Sequence, residues 1–195
     1  TMITKDKVTE IFCIIDEFCK HLHVELAKNL QLPSHDGKGK LCRNRNGRLS
    51  DSEIMTILLC YHFGTYRNFK EYYLNCIHGQ LRQEFPDAVS CNRFVELMPR
   101  VFFHLMAFMK IYAFGRCSGI SFVDSTMITV CHNVRRYFNK VFAGLARSGK
   151  GTMGWCHGFK LHLLCNDTGE IITFCLTPAN VDYRDKRVWS VFTKV

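Results

Sequence analysis

The sequence has no long apolar run and little proline. No stretch approaches the roughly 18 uncharged apolar residues that cross a bilayer, and charged residues at 5–7 and 16–17 interrupt any signal-peptide core. Four prolines and 13 glycines in 195 residues exclude collagen-like and linker compositions. We therefore predict a folded, cytoplasmic protein that does not enter a membrane.

The sequence also lacks a C-x-x-C pair, although it has 11 cysteines. Without a secretion signal, so many cysteines indicate a reducing compartment, where a free cysteine packs as a small apolar side chain. Cys131-His132 and Cys156-His157 are compatible with two halves of a metal site. Packing of strands and loops explains the same pairs without a metal.

Acidic residues are scarce in the second half of the chain. Residues 1–96 carry 13 basic and 12 acidic side chains, whereas residues 97–195 carry 13 basic and five acidic ones. The stretch 125–160 has no acid at all, and its basic residues are Arg135, Arg136, Lys140, Arg147, Lys150 and Lys160. Aromatic residues alternate with them, namely Tyr137, Phe138, Phe142, Trp155 and Phe159. This mixture favours phosphate contacts with base stacking and so predicts DNA binding, although a solvated basic face is the alternative.

A second, shorter basic run lies in the first half, between residues 38 and 48. Poor helix formers surround its five basic residues, Lys38, Lys40, Arg43, Arg45 and Arg48. The composition predicts a loop that can lie on a phosphate backbone.

Apolar spacing and capping signals predict that the first 115 residues or so are mostly helical. A first helix is expected over 7–32, and a second from about Asp51, after a capping box formed by Ser50 and Glu53, to Gly64. A third is expected over 68–82, and a fourth begins after Ser90 and is kinked or split by Pro99. Short turns between such helices are compatible with a helix-turn-helix DNA-binding unit or with a plain helical bundle.

The pattern changes to strands after Gly119. Residues 120–130 are apolar and β-branched, residues 159–165 alternate, and residues 171–176 are apolar enough for a central strand. Asp182 and Asp185 then favour the N-terminus of a helix. The expected fold class is α+β.

Asp124 interrupts an apolar strand, so the sequence predicts a desolvated carboxylate that needs a cation, a metal or hydrogen bonds. A metal ligand and an aspartate bonded to a neighbouring turn both satisfy that need. His162 lies on the same side of its strand as Lys160 and could touch phosphate, although a core histidine is commoner. Residues 144–150 have the spacing of a nucleotide phosphate-binding loop, but Gly151 stands where that loop needs Ser or Thr, so we expect no ATP or GTP site.

Four sequence blocks together resemble DDE transposases of bacterial insertion sequences. The blocks are Ile120-Ser121-Phe122-Val123-Asp124-Ser125-Thr126, then Gly154-Trp155, then Gly158-Phe159-Lys160-Leu161-His162-Leu163, and Leu176-Thr177-Pro178-Ala179-Asn180-Val181-Asp182. Residues 49–53 and 90–97 resemble the helical region of the same proteins. The chain departs from the family pattern at Ala179 and Tyr183, where relatives tend to have Gly and Asp.

The resemblance implies two domains, a helical DNA-binding region over 1–115 and an incomplete catalytic domain of the ribonuclease-H-like fold over 119–195. In such enzymes three carboxylates hold two Mg²⁺ (or Mn²⁺) ions, and Asp124 matches the first of them, as catalytic residue and metal ligand. The contexts of the family's second Asp and its Glu do not occur before Val195. The implied reaction is phosphodiester cleavage and strand transfer on double-stranded DNA, at element ends and target, and a homodimer is compatible with the complete enzyme.

Two other classes remain open on the sequence alone. The chain could be a non-catalytic DNA-binding remnant of a transposase, or a helical DNA-binding regulator unrelated to transposition. Because the expected carboxylates are missing, we expect this chain by itself to be inactive in cleavage.

Overall fold

Capping side chains determine where the helices of the N-terminal half begin. The computed structural model describes residues 3–29, 47–152 and 154–193. Its first helices are α1 (Lys5–Asn29), α2 (Asp51–Phe63) and α3 (Phe69–Tyr72), and α3 continues as a π-helix over Tyr73–Gln80. The predicted capping box is confirmed, because Ser50 Oγ accepts from Glu53 N and the Glu53 carboxylate accepts from Ser50 N.

Pro99 splits the next helix, as predicted. α4 (Cys91–Leu97) begins after the N-cap Ser90, a 3-10 turn follows over Met98–Val101, and α5 (Phe102–Phe108) leads into a π-helical turn at Met109–Ala113. The predicted C-terminal end of α1 and most of the 38–48 basic loop lie outside the described residues. Arg48 is described, and its guanidinium lies 3.9 Å from Asp87.

The helices enclose an aromatic and aliphatic core. Tyr72 and Tyr73 are fully buried, and each satisfies its hydroxyl by donating to a backbone carbonyl, of Ile57 at 3.0 Å and of Val89 at 2.8 Å. Phe94 is also fully buried, and its ring centroid lies 4.9 Å from that of Tyr73. The chain forms two compact units, Thr1–Phe108 and Met109–Val195, and this core belongs to the first.

The second unit is a four-stranded antiparallel sheet with one short helix. Its elements are β1 (Ser121–Cys131), β2 (Arg147–Gly151), β3 (Gly154–Asn166), β4 (Ile171–Pro178) and α6 (Lys186–Phe192). The predicted α+β fold class is confirmed. Among the helices that the structure describes, none combines the length and the apolar character needed to cross a membrane.

β3, not β4, is the central strand of this sheet. β1 pairs along one side of β3, and β2 and β4 share the other side, β2 opposite residues 154–158 and β4 opposite residues 159–165. The expectation of a central strand at 171–176 was therefore wrong, because apolar content reports burial but does not determine which strand has two neighbours. Gly158 lies where β1 bulges, and a Cβ there would overlap the Ile128 carbonyl oxygen.

The two faces of the sheet differ. Val123, Leu164 and Cys175 pack with Val188 and Phe192 of α6 in the core of this unit. Strand alternation directs the neighbouring residues to the opposite face. That face, which we call the open face, includes Phe122, Asp124, Ile128, Leu163 and Leu176, and three of its apolar residues are more than two-fifths exposed.

Candidate functional site

Asp124 lies within β1 on the open face, and it is exposed. Its Oδ1 accepts a hydrogen bond from the backbone N–H of Ser125 at 2.7 Å. The sequence argument for a desolvated carboxylate was wrong, because β1 pairs on one side only and its apolar neighbours on this face are themselves partly exposed. The carboxylate is open to solvent and free to take a ligand through Oδ2.

The described residues do not complete a two-metal centre around Asp124. Such a centre needs several carboxylates converging on one point. Among the residues that the structure describes, the one cluster of three or more His, Cys, Asp or Glu side chains that could hold an ion lies elsewhere and does not include Asp124. The residues present therefore supply one potential ligand and not the set that two-metal chemistry requires.

The six basic residues singled out in the sequence lie between the end of β1 and the middle of β3. Arg135 ends a 3-10 turn after β1, Arg136 and Lys140 follow in the connecting turns, and Arg147 and Lys150 are on β2. Lys160 is on β3. In the part of the chain that the structure describes, none of the six forms a salt bridge with a carboxylate. Their charge is thus available to an anionic partner.

Exposed aromatic rings lie beside Arg135 and Arg136. Tyr137, Phe138 and Trp155 are 79%, 86% and 62% exposed, which is unusual for side chains of this size. The Arg136 guanidinium stacks 4.6 Å from the Tyr137 ring centre and donates to the Tyr137 hydroxyl. Arg136, Tyr137 and Trp155 line one cavity of about 590 Å³. The arrangement offers a cation and flat rings side by side.

Lys150 and Lys160 lie together in a second depression, a groove of about 540 Å³ beside β1. Asp182 and Tyr183 also line it, and Asp124 does not. Asp182 Oδ1 accepts from Arg184 N at 2.9 Å, whereas the N-cap of α6 is Asp185, whose Oδ1 accepts from Arg187 N. Of the two predicted capping aspartates, one is the cap and the other closes the preceding turn.

His162 is a core residue and does not face a ligand. It is fully buried between β1 and β4, and its Nε2 lies 2.9 Å from Thr177 Oγ1. Burial lowers the pKa of its imidazole, so the ring is neutral at physiological pH. A contact with phosphate, which the sequence left possible, does not occur.

The spacing of a nucleotide-binding loop at residues 144–150 has no structural counterpart. Arg147–Gly151 is a strand paired with β3, whereas a phosphate-binding loop would open a helix. The geometry of residues 147–151 therefore differs from that of a phosphate-binding loop. The two Cys-His pairs also do not form a metal cluster within the described residues.

Comparison with known proteins gives one match. Residues 114–194 match a family model described as a transposase DDE domain. No curated protein and no solved structure matched the chain. The matched range contains β1 to β4, α6, Asp124 and all six basic residues discussed above. Domains of this family generally use divalent metal ions. The resemblance found in the sequence is thereby confirmed for residues 114–194, which match the transposase DDE domain family.

Proposed function

We propose that this protein binds DNA as part of transposition. The cations of the segment that follows β1, together with Lys160 on β3, form the main phosphate-binding surface of its second unit. The observation that carries the proposal is the family match over residues 114–194, which contains this surface. The surface consists of Arg135, Arg136, Lys140, Arg147, Lys150 and Lys160, and we call it the basic surface.

The charges of the basic surface support a nucleic acid partner. All six side chains lack a carboxylate partner among the described residues, and no acidic residue occurs between 125 and 160. A surface with uncompensated positive charge attracts a polyanion. Binding then releases the counterions condensed on the polyanion, and this release contributes to the binding free energy.

The exposed rings support contact with bases as well as with phosphates. A ring such as Tyr137 or Trp155 can stack on any base, and stacking contributes about 1–3 kcal/mol per base. Because Arg136 already lies over the Tyr137 ring, it can contact a phosphate while the ring takes a base. This combination favours DNA whose bases are accessible, such as frayed or nicked element ends, over uniform duplex.

Asp124 is the residue that we propose as the first metal ligand of the catalytic centre, on the evidence of its position in β1 within the matched range. Mg²⁺ or Mn²⁺ would suit an exposed carboxylate oxygen. The described residues do not supply its partners, so we propose no catalytic step for this chain and infer that DNA binding is its own contribution.

Salt dependence of DNA binding tests the basic surface directly. Log affinity should fall linearly with log salt, with a slope of about 0.9 per phosphate contacted. Arg136→Glu should flatten that slope by about 1 or more, because one phosphate contact is lost and a repulsive charge is added.

Lys186→Glu is the matched control. It makes the same change in net charge on an exposed residue of α6, outside the basic surface. The proposal requires that Lys186→Glu weakens binding less than Arg136→Glu does. Equal effects of the two variants, or binding that does not respond to salt, would show that DNA does not bind at this surface.

A further inference from the structure

Three polar side chains of the helical unit, from three different helices, meet at one point. His23 is on α1, Asp51 is the first residue of α2, and His104 is on α5. Their ligand atoms, one from each side chain, all lie within 4.8 Å of one another. Residues 80 or so apart in sequence have no local reason to meet in this way.

The two imidazoles approach each other through the nitrogens that bind metals. His23 Nε2 and His104 Nε2 are 3.3 Å apart. Two nitrogens bound to one tetrahedral Zn²⁺ at 2.0–2.1 Å are separated by roughly 3.3 Å, so the spacing fits a shared ion. It also fits a single N–H···N hydrogen bond, which would hold the two rings ready in the absence of an ion.

Asp51 supplies an oxygen on the third side of this point. Its Oδ2 lies 3.9 Å from His23 Nε2, and Arg100 Nε lies 2.7 Å from its Oδ1. Arg100 thus orients the carboxylate through one oxygen and leaves the other directed to the histidines, as residues that hydrogen-bond to metal ligands do in metal sites.

Burial differs among the three residues in a way that suits a site open to solvent. The side chains of Asp51 and His23 are 13% and 56% exposed. The 3.9 Å separation between His23 Nε2 and Asp51 Oδ2 must shorten when an ion binds, and rotation of the exposed His23 ring would achieve this.

We propose that His23, Asp51 and His104 bind one Zn²⁺ ion, with water as the fourth ligand. Two imidazoles and one carboxylate suit Zn²⁺ or a similar first-row transition ion, whereas Mg²⁺ and Ca²⁺ prefer all-oxygen sites. The ion would fasten α1, α2 and α5 to one another. The site is separate from Asp124 and does not depend on the proposed function of the second unit.

Titration of the full chain with Zn²⁺ alone tests the site, with His23→Gln and His104→Gln as the variants. Loss of one of three ligands should weaken the Zn²⁺ affinity at least about 100-fold, since even the loss of a residue that only hydrogen-bonds to a ligand costs about 10–100-fold. Zn²⁺ should raise the melting temperature of the wild type and fail to raise it in either variant.

His21→Gln is the matched control, because His21 is an exposed histidine on the same helix, near Glu17 and outside the cluster. It should bind Zn²⁺ as the wild type does and report any background binding by other histidines and cysteines. Titration with Co²⁺ should give a spectrum without thiolate charge-transfer bands.

Two results would overturn the proposal. One is Zn²⁺ affinity in His23→Gln equal to that in His21→Gln, and the other is a wild-type chain that binds no Zn²⁺ or binds Co²⁺ through thiolate. If His104→Gln does not fold, His23→Gln still decides, because the exposed His23 ring is not needed for the core.

Discussion

Asp124 and Asp182 each accept a local backbone hydrogen bond, in different surroundings. Each is exposed, and each accepts a backbone N–H through Oδ1, from Ser125 at 2.7 Å and from Arg184 at 2.9 Å. Asp124 lies within a strand on the open face, whereas Asp182 lies in a turn beside two lysines of the basic surface. The sequence could single out Asp124 by its apolar neighbours, but it could not show that the carboxylate is exposed, because exposure depends on the pairing of β1.

Asp124→Asn should therefore leave stability and DNA binding nearly unchanged, within about 0.5 kcal/mol, because the amide retains the Oδ1 acceptor. In a complete transposase that contains this domain, the same change should abolish cleavage dependent on Mg²⁺, since a neutral amide cannot balance the charge of the ion. Melting curves, DNA titrations and a strand-cleavage assay measure the three quantities. Asp182→Asn is the control and should retain most of the cleavage. Full cleavage by Asp124→Asn would place the first ligand at another residue.

Elements whose signals are local were predicted well, and those defined by distant partners were not. The start of α2 and the split at Pro99 depend on residues three or four positions apart, which the sequence displays directly. β2, with the sequence Arg147-Ser148-Gly149-Lys150-Gly151, has no apolar alternation and is a strand because it pairs with β3. The meeting of His23 with His104 likewise has no local signal, because it follows from the packing of α1 against α5.

The cap of α6 gives a prediction about pH. Hydrogen bonds from the Arg187 side chain and backbone lower the pKa of Asp185 to about 2, from an ordinary value of 3.8. Because the folded pKa is the lower one, the ionised carboxylate stabilises the folded state above about pH 4, and this contribution is lost as the pH falls to about 2. The effect should be small and should weaken in high salt, because the Arg187 side chain is 71% exposed.

Asp185→Asn isolates this contribution, since the amide can still cap the helix through Oδ1. The melting temperature of the wild type should exceed that of the variant at pH 7, and the two should converge between pH 4 and pH 2. Arg187→Gln removes the partner and should reproduce the same convergence. A gap that stays constant over this pH range would mean that the ion pair does not contribute to stability.

The distribution of acids over the whole molecule separates binding from catalysis. Residues 1–96 have nearly balanced charge, whereas residues 97–195 have 13 basic and only five acidic side chains. Such a field attracts polyanions to the C-terminal half of the chain, which supports the proposed DNA binding. The same scarcity of acids limits the number of carboxylates that could hold metal ions there.

Each of the other four acids, apart from Asp124, has a structural role. The Ser118 hydroxyl donates to Asp167, Asn166 Nδ2 donates to Glu170 at 2.8 Å, Asp182 closes a turn and Asp185 caps α6. None of the four joins Asp124 in a metal-binding cluster within the described residues. Among the described residues, Asp124 therefore lacks the further carboxylates that two-metal catalysis requires.

We therefore expect this chain to bind DNA but not to cut or join it. Supercoiled DNA and linear DNA with element ends, incubated with the purified chain and Mg²⁺ and then Mn²⁺, should remain intact at protein concentrations that saturate binding. A saturating gel shift on the same samples shows that the absence of cleavage does not reflect absence of binding. Asp124→Asn serves as the control for contaminating nucleases, because any cleavage that it retains cannot come from this site. Metal-dependent cleavage by the wild-type chain that disappears in Asp124→Asn would contradict the prediction. It would mean that the carboxylates needed beside Asp124 come together only when DNA and metal are bound.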